Sequence, residues 1–91
     1  MNDKFVQITG PFTLNEEIVD KIKAETGFNF LYIKKIGIQT EPASAHKVSI
    51  NGQIFEIGKT GILEFNEVQI TSLNFLQDET SFTIIDLIVG E

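Results

Sequence analysis

Asn51-Gly52 lies between two runs of alternating apolar and polar residues, 47–50 and 53–57. Asn-Gly is the strongest short hairpin signal, because both central residues of a type I′ turn need positive φ. A two-residue loop fixes the register. It pairs Ile50 with Gln53 and Val48 with Phe55. Val48, Ile50, Phe55 and Ile57 then share one face, and Lys47, Ser49, Ile54 and Glu56 take the other. The first set is the expected core. Ile54 stays on the outer face and is a candidate contact residue.

The same alternation, cut by turn signals, extends over residues 36–75. Residues 62–65 read as a strand with Leu63 and Phe65 on one side. Asn66-Glu67 reads as a short connection. Residues 68–75 read as another strand whose face changes near Ser72, which predicts a twist or bulge. Residues 77–81 are a polar turn. Residues 82–89 form a closing strand, with Thr83, Ile85, Leu87 and Val89 on one face and Phe82, Ile84, Asp86 and Ile88 on the other. Both faces are mostly apolar, so this strand is expected to be central or covered on its outer side.

Residues 4–9 predict a first strand, ended by Gly10-Pro11. Thr13 and Glu16 have the spacing of a capping box, and a helix is expected over about residues 14–25. Leu14, Ile18, Val19 and Ile22 give it one apolar face. Gly27 is placed to stop it. Residues 28–33 are too apolar to alternate and suit a strand covered on both faces. Lys34-Lys35 interrupts it, residues 36–40 resume it, and Gly37 suggests a bulge or close backbone approach. Residues 41–45 read as a loop.

The expected fold is mainly β: a small, jelly-roll-like β-sandwich of about seven or eight short strands with one N-terminal amphipathic helix. Its 91 residues make a single domain, with the strand-rich region over residues 28–89. The chain has no cysteine, which removes disulfides, thiolate metal ligation and cysteine catalysis. The net charge is −6 and arginine is absent, a poor basis for binding phosphate backbones, so no nucleic-acid partner is expected. No apolar run approaches the ~20 residues of a membrane-spanning helix. The N-terminal residues show no basic region followed by an apolar block, so neither a signal peptide nor a membrane partner is expected.

Motifs that carry chemistry are few. Gly58-Lys59-Thr60 resembles the end of a phosphate-binding loop, but five residues rather than four separate Gly52 from Gly58, and a strand rather than a helix follows. A Gly-flanked hairpin turn is the better reading. His46 is the one histidine, and it reads as an exposed or rim residue without converging ligands. The acids read as solvated helix surface (Glu16, Glu17, Asp20, Glu25) or strand ends and turns (Glu64, Glu67, Asp78, Glu79). No catalytic residue, cofactor site or metal site is expected, and the chain reads as a non-enzyme. Of eight Phe and one Tyr, the Phe residues suit core packing, and Tyr32 is the candidate exposed ring.

The order of Ile36-Gly37-Ile38-Gln39, Lys47 through Gly52, Ile57 through Glu64 and Ile70 through Phe75 resembles small β-rich proteins and domains from phages and prophages of Firmicutes. These run from a Gly-Ile-Gln strand through a Pro/Ala loop, a hairpin and a Gly-x-Thr-Gly turn to an aliphatic strand with an Asp, here Asp86. The likeness covers about residues 33–91. The loop over residues 41–45 departs from it, and the acidic helix lies outside it. The resemblance implies a virion structural or assembly role in a tail, baseplate or head accessory, made in the host cytoplasm and carried in the virion. Its implied partners are a second copy or other virion proteins. It supplies no catalytic residues. A glycan- or receptor-binding domain using Tyr32, and a small inhibitor of a host protein, are the alternative readings.

Overall fold

The computed structural model describes residues 3–39, 46–57 and 61–91. It contains β1 (Asp3–Thr9), α1 (Val19–Thr26), β2 (Tyr32–Gln39), β3 (His46–Ile50), β4 (Gln53–Ile57), β5 (Ile62–Gln69), β6 (Leu73–Phe75) and β7 (Ile84–Gly90). Two antiparallel sheets form a small sandwich-like fold. One has the order β1-β7-β2-β5 and the other β4-β3-β6. No helix of the described residues is long and apolar enough to cross a membrane.

The hairpin forms in the register its turn dictates. Asn51 has φ 52° and Gly52 φ 82°, and Ile50 pairs with Gln53, Val48 with Phe55 and His46 with Ile57. Val48, Ile50 and Ile57 are buried and Phe55 packs half-buried against them. The Asn51 side chain does more than tolerate the turn. Its Oδ1 accepts from the Thr71 N–H at 2.7 Å, the Thr71 hydroxyl at 3.1 Å and the Ser72 N–H at 3.3 Å. Its Nδ2 donates to the Gln69 carbonyl at 2.8 Å. Asn51 thereby ties the β3–β4 turn to the break between β5 and β6. That break, residues 70–72, is where the expected strand over residues 68–75 divides, and it turns Ile70 into the core.

The largest correction concerns β2. The strand begins at Tyr32, while residues 28–31 are a loop in which Phe28 and Leu31 are buried and Phe30 is exposed. Lys34-Lys35 does not interrupt it. Ile33 faces Val89 and Lys35 faces Ile88, so Lys34 is one extra residue against β7. This bulge brings Ile33, Ile36 and Ile38 to one face, and all three are fully buried. Against β5, Ile33 faces Val68 and Lys35 faces Glu64, so residues 65–67 bow out opposite Lys34, with Glu67 at φ 54°. Asn66-Glu67 is therefore an irregularity inside β5, not a connection. Gly37, read as a bulge or a close backbone approach, is not the bulge: it lies in regular pairing with Asp86 and Ile62. The turn expected at residues 58–61 and the loop at 41–45 fall outside the described residues, Gly61 excepted.

The helix starts five residues later than its capping signal suggests. The Thr13 N–H does donate to Glu16 Oε1 at 3.0 Å, as in a capping box. That contact closes a turn instead, because Asn15 takes φ 63° and the next residues pair with β6. Asn15 N–H reaches the Phe75 carbonyl and Ile18 N–H the Leu73 carbonyl. Glu17 then caps both elements at once. Its Oε2 accepts from Leu73 N–H at 2.7 Å and from Val19 N–H, in the first turn of α1, at 3.3 Å. Ile18, Val19 and Ile22 are buried, and Leu14 is left exposed. Gly27 ends α1 at φ 74°, its N–H returning to Lys23 O.

The final strand is central, between β1 and β2. Ile85, Leu87 and Val89 point inward and are fully buried. They join Val6 and Ile8 of β1, the β2 isoleucines, the inner residues of β3 and β6, and the apolar side of α1 in one core cluster.

Asn51→Asp places a second carboxylate oxygen where Nδ2 now donates to a carbonyl at 2.8 Å. It is expected to cost about 1–3 kcal/mol, read as a lower urea midpoint with an unchanged m-value. The Lys21 ammonium, bonded to Glu16 at 2.6 Å, and the Thr13 N–H hold the Glu16 carboxyl below its ordinary value. A lowered folded value means that its stabilisation is fully present above the unfolded value of about 4.3 and is lost as pH falls through the folded one. Glu16→Gln should flatten the acid limb of the stability curve there. The change should be small, because water screens a surface pair.

Candidate functional site

The outer face of the four-stranded sheet follows from pairing and parity. Its rows run Phe5–Ile88–Lys35–Glu64, Gln7–Asp86–Gly37–Ile62 and Thr9–Ile84–Gln39 across β1, β7, β2 and β5. Phe5 is 64% exposed and Ile62 is 62% exposed, while Ile84 and Ile88 on the central strand are half-buried. Phe82, just before β7, is 67% exposed. Large apolar side chains thus stand exposed on both edge strands of the sheet, with half-buried isoleucines on β7.

One position in this face is bare. Gly37 has no side chain, and a depression of about 240 Å³ opens there, walled by Phe5, Ile62, Ile88 and Asp86 with Lys35 at its rim. Asp86 lies beside it. Asp86 Oδ2 accepts a hydrogen bond from Gln39 Nε2. Its Oδ1 is shielded from water and has no hydrogen-bond partner among the described residues. At one end of the face, Lys34 bonds Asp3 at 2.7 Å and Glu67 at 3.3 Å, and Lys35 lies 3.6 Å from Glu64. The Asp3 hydrogen bond, with Glu67 nearby, holds the Lys34 ammonium above its ordinary value.

The two contact candidates read from the sequence do not come together. Tyr32 starts β2, half-buried, in the row of Gly90 and Gln69. Ile54 is 61% exposed on β4 of the other sheet, opposite Ser49. The face around Asp86 was legible as the set Phe82, Ile84, Asp86 and Ile88 on one side of the closing strand, but its neighbours Phe5, Gly37 and Ile62 were not.

His46 is not a rim residue. It is 3% exposed, on the same side of β3 as Val48 and Ile50, and its Nδ1 lies 2.7 Å from Glu79 Oε1. Glu79, expected in a solvated turn, is also buried. Its backbone exchanges hydrogen bonds with Phe12, at 2.8 and 3.0 Å. Its Oε1 also accepts from the Thr83 hydroxyl at 3.0 Å, and its Oε2 from Gln77 Nε2 at 3.1 Å. The Phe75 ring meets the imidazole edge-on at 6.4 Å and stacks tilted on Phe12 at 5.2 Å. A histidine oriented by a carboxylate is half of a nucleophile-activating arrangement. Here the neighbouring hydroxyl donates to the carboxylate, so the cluster fastens β3 to the segment before β7. Among the described residues, no three His, Asp or Glu side chains are grouped to hold a metal ion.

Glu79→Ala strips a buried imidazole of its carboxylate. It is expected to cost about 3–5 kcal/mol, a large share of the stability of a domain this size. Glu79→Gln keeps an acceptor and should cost less. Chemical denaturation of the two variants side by side checks the order.

Comparison with protein-family models, curated proteins and solved structures finds no match to this chain.

Proposed function

We propose that this chain is a non-enzymatic assembly domain of a phage or prophage particle, acting through protein–protein contacts made by the outer face of its four-stranded sheet. The observation that carries the reading is that face: Phe5, beside Ile88, and Ile62, beside Gly37, stand exposed on its two edge strands and line one depression with Ile88. Contiguous exposed apolar surface of this kind marks interaction sites, whereas single exposed apolar residues do not. The order of motifs over residues 33–91 supplies the particle context, a tail, baseplate or head accessory made in the bacterial cytoplasm. The glycan-binding alternative has less support, because Tyr32 is half-buried and Ile54 lies on the other sheet.

Particles purified on a density gradient from a producing strain are expected to contain the chain at a fixed copy number by quantitative mass spectrometry. Phe5→Ser and Ile62→Ser, both at exposed sites, should fold normally. Each should reduce incorporation about tenfold, the effect of losing roughly 1.5 kcal/mol of apolar burial. Complete particles that lack the wild-type chain would overturn the reading.

A further inference from the structure

We infer that Asn51-Gly52 is a self-modification site that the fold holds shut: an intramolecular deamidation gated by opening of the β3–β4 turn. It is independent of the interaction face, which lies on the other sheet.

An asparagine amide followed by glycine carries its own nucleophile. The Gly52 backbone nitrogen bonds to Asn51 Cγ and gives its proton to a solvent base. The Cγ–Nδ2 bond breaks, and Nδ2 takes a proton from water and leaves as ammonia. Water then opens the five-membered imide. Cleavage of the imide nitrogen's bond to Cγ gives aspartate, and cleavage of its bond to the backbone carbonyl carbon gives isoaspartate. Glycine favours the closure because it puts no side chain in the way. Both residues are exposed, and a Cβ added at Gly52 would meet nothing within 4 Å. Water and base therefore reach the turn, and burial is not what protects it.

Conformation does. The ring requires Asn51 Cβ and the Gly52 nitrogen to eclipse about the Asn51 Cα–C bond. Positive φ at both residues, 52° and 82°, across a two-residue loop makes this a type I′ turn. Its ψ of about +30° at the first central residue sets the two atoms on nearly opposite sides of that bond. The side chain is also committed elsewhere, Nδ2 to the Gln69 carbonyl and Oδ1 to Thr71 and Ser72. The Asn51 N–H donates to the Ser72 carbonyl at 2.9 Å. Cyclisation must wait for an opening that releases these bonds and turns the backbone.

The product does not close again in the same way. Aspartate has no N–H for the Gln69 carbonyl and adds a negative charge to a chain already at −6. Isoaspartate carries an extra methylene through the main chain, in a loop whose length sets the pairing of Ile50 with Gln53. A molecule that opens for long enough is marked permanently, and its hairpin loses its tie to residues 69–72.

Deamidation is followed at mildly alkaline pH by intact mass and by methylation with an isoaspartyl methyltransferase, and peptide mapping assigns it to position 51. The folded chain, the urea-unfolded chain and the peptide acetyl-Ser-Ile-Asn-Gly-Gln-Ile-amide are compared. The peptide and the unfolded chain are expected to convert at similar rates in the same solvent, and the folded chain at least about tenfold more slowly. Below the unfolding midpoint, the folded-chain rate should climb with urea. Thr71→Val, which removes one donor from Oδ1 at an exposed position, should raise it about threefold. Chain converted in urea and returned to buffer should show a lower urea midpoint than unconverted chain treated alike.

Less protection of the folded chain, or a rate indifferent to urea, would overturn the gate. An unchanged rate in Thr71→Val would overturn the part given to the Asn51 side chain, and so would a slower one, which would mean that the donors on Oδ1 activate the amide. An unaltered midpoint in the converted chain would overturn the permanent mark.

Discussion

The bulge at Lys34 sets the register of the larger sheet. In a strand of period two, a one-residue slip exchanges inner and outer faces. Without the extra residue, Ile33 and Ile36 would point to opposite sides of β2. With it, Ile33, Ile36 and Ile38 all enter the core, and the neighbouring strands align to them. The same irregularity makes β5 bow out over residues 65–67, and there the two lysines meet Asp3, Glu64 and Glu67. A local kink thus gathers charged side chains at one end of the face.

The smaller sheet is fixed by polar contacts at both of its ends. Asn51 binds the hairpin turn to residues 69–72 through four hydrogen bonds. Glu79 joins His46 at the start of β3 to Phe12, Gln77 and Thr83. Glu17 does a similar task between α1 and β6. Each of these carboxylate or amide groups satisfies several donors, and Glu79 does so buried, the condition under which a polar group specifies a fold. The polar side chains that join these segments thereby serve the fold.

What was legible in the sequence was local. Asn51-Gly52 carried its own turn and register, Gly27 its own helix stop, and residues 84–90 their central place through two apolar faces. His46 was legible in principle, since the hairpin register puts it on the side of Val48 and Ile50. The misread features depend on distant partners. Thr13 and Glu16 look like a helix start, but Asn15 and Ile18 are claimed by β6, more than fifty residues away. Lys34-Lys35 looks like an interruption until β7 is set beside it. Glu79 carries no local signal of burial, because its environment is assembled from Phe12, His46 and Thr83.

The central place of β7 has a consequence for timing. It pairs with β1 across nearly the whole chain, Asp3 opposite Gly90, and it is also the strand through which β1 joins β2. Until β7 arrives, β1 has no partner strand and β2 is paired on one side only, with β5. Pairings of such sequence separation form slowly, because loop closure must precede their contacts. The outer face is therefore the last surface to exist as a chain of this sequence leaves the ribosome. Phe5, Asp86 and Gly37 come from three strands, so they lie side by side only in the finished sheet.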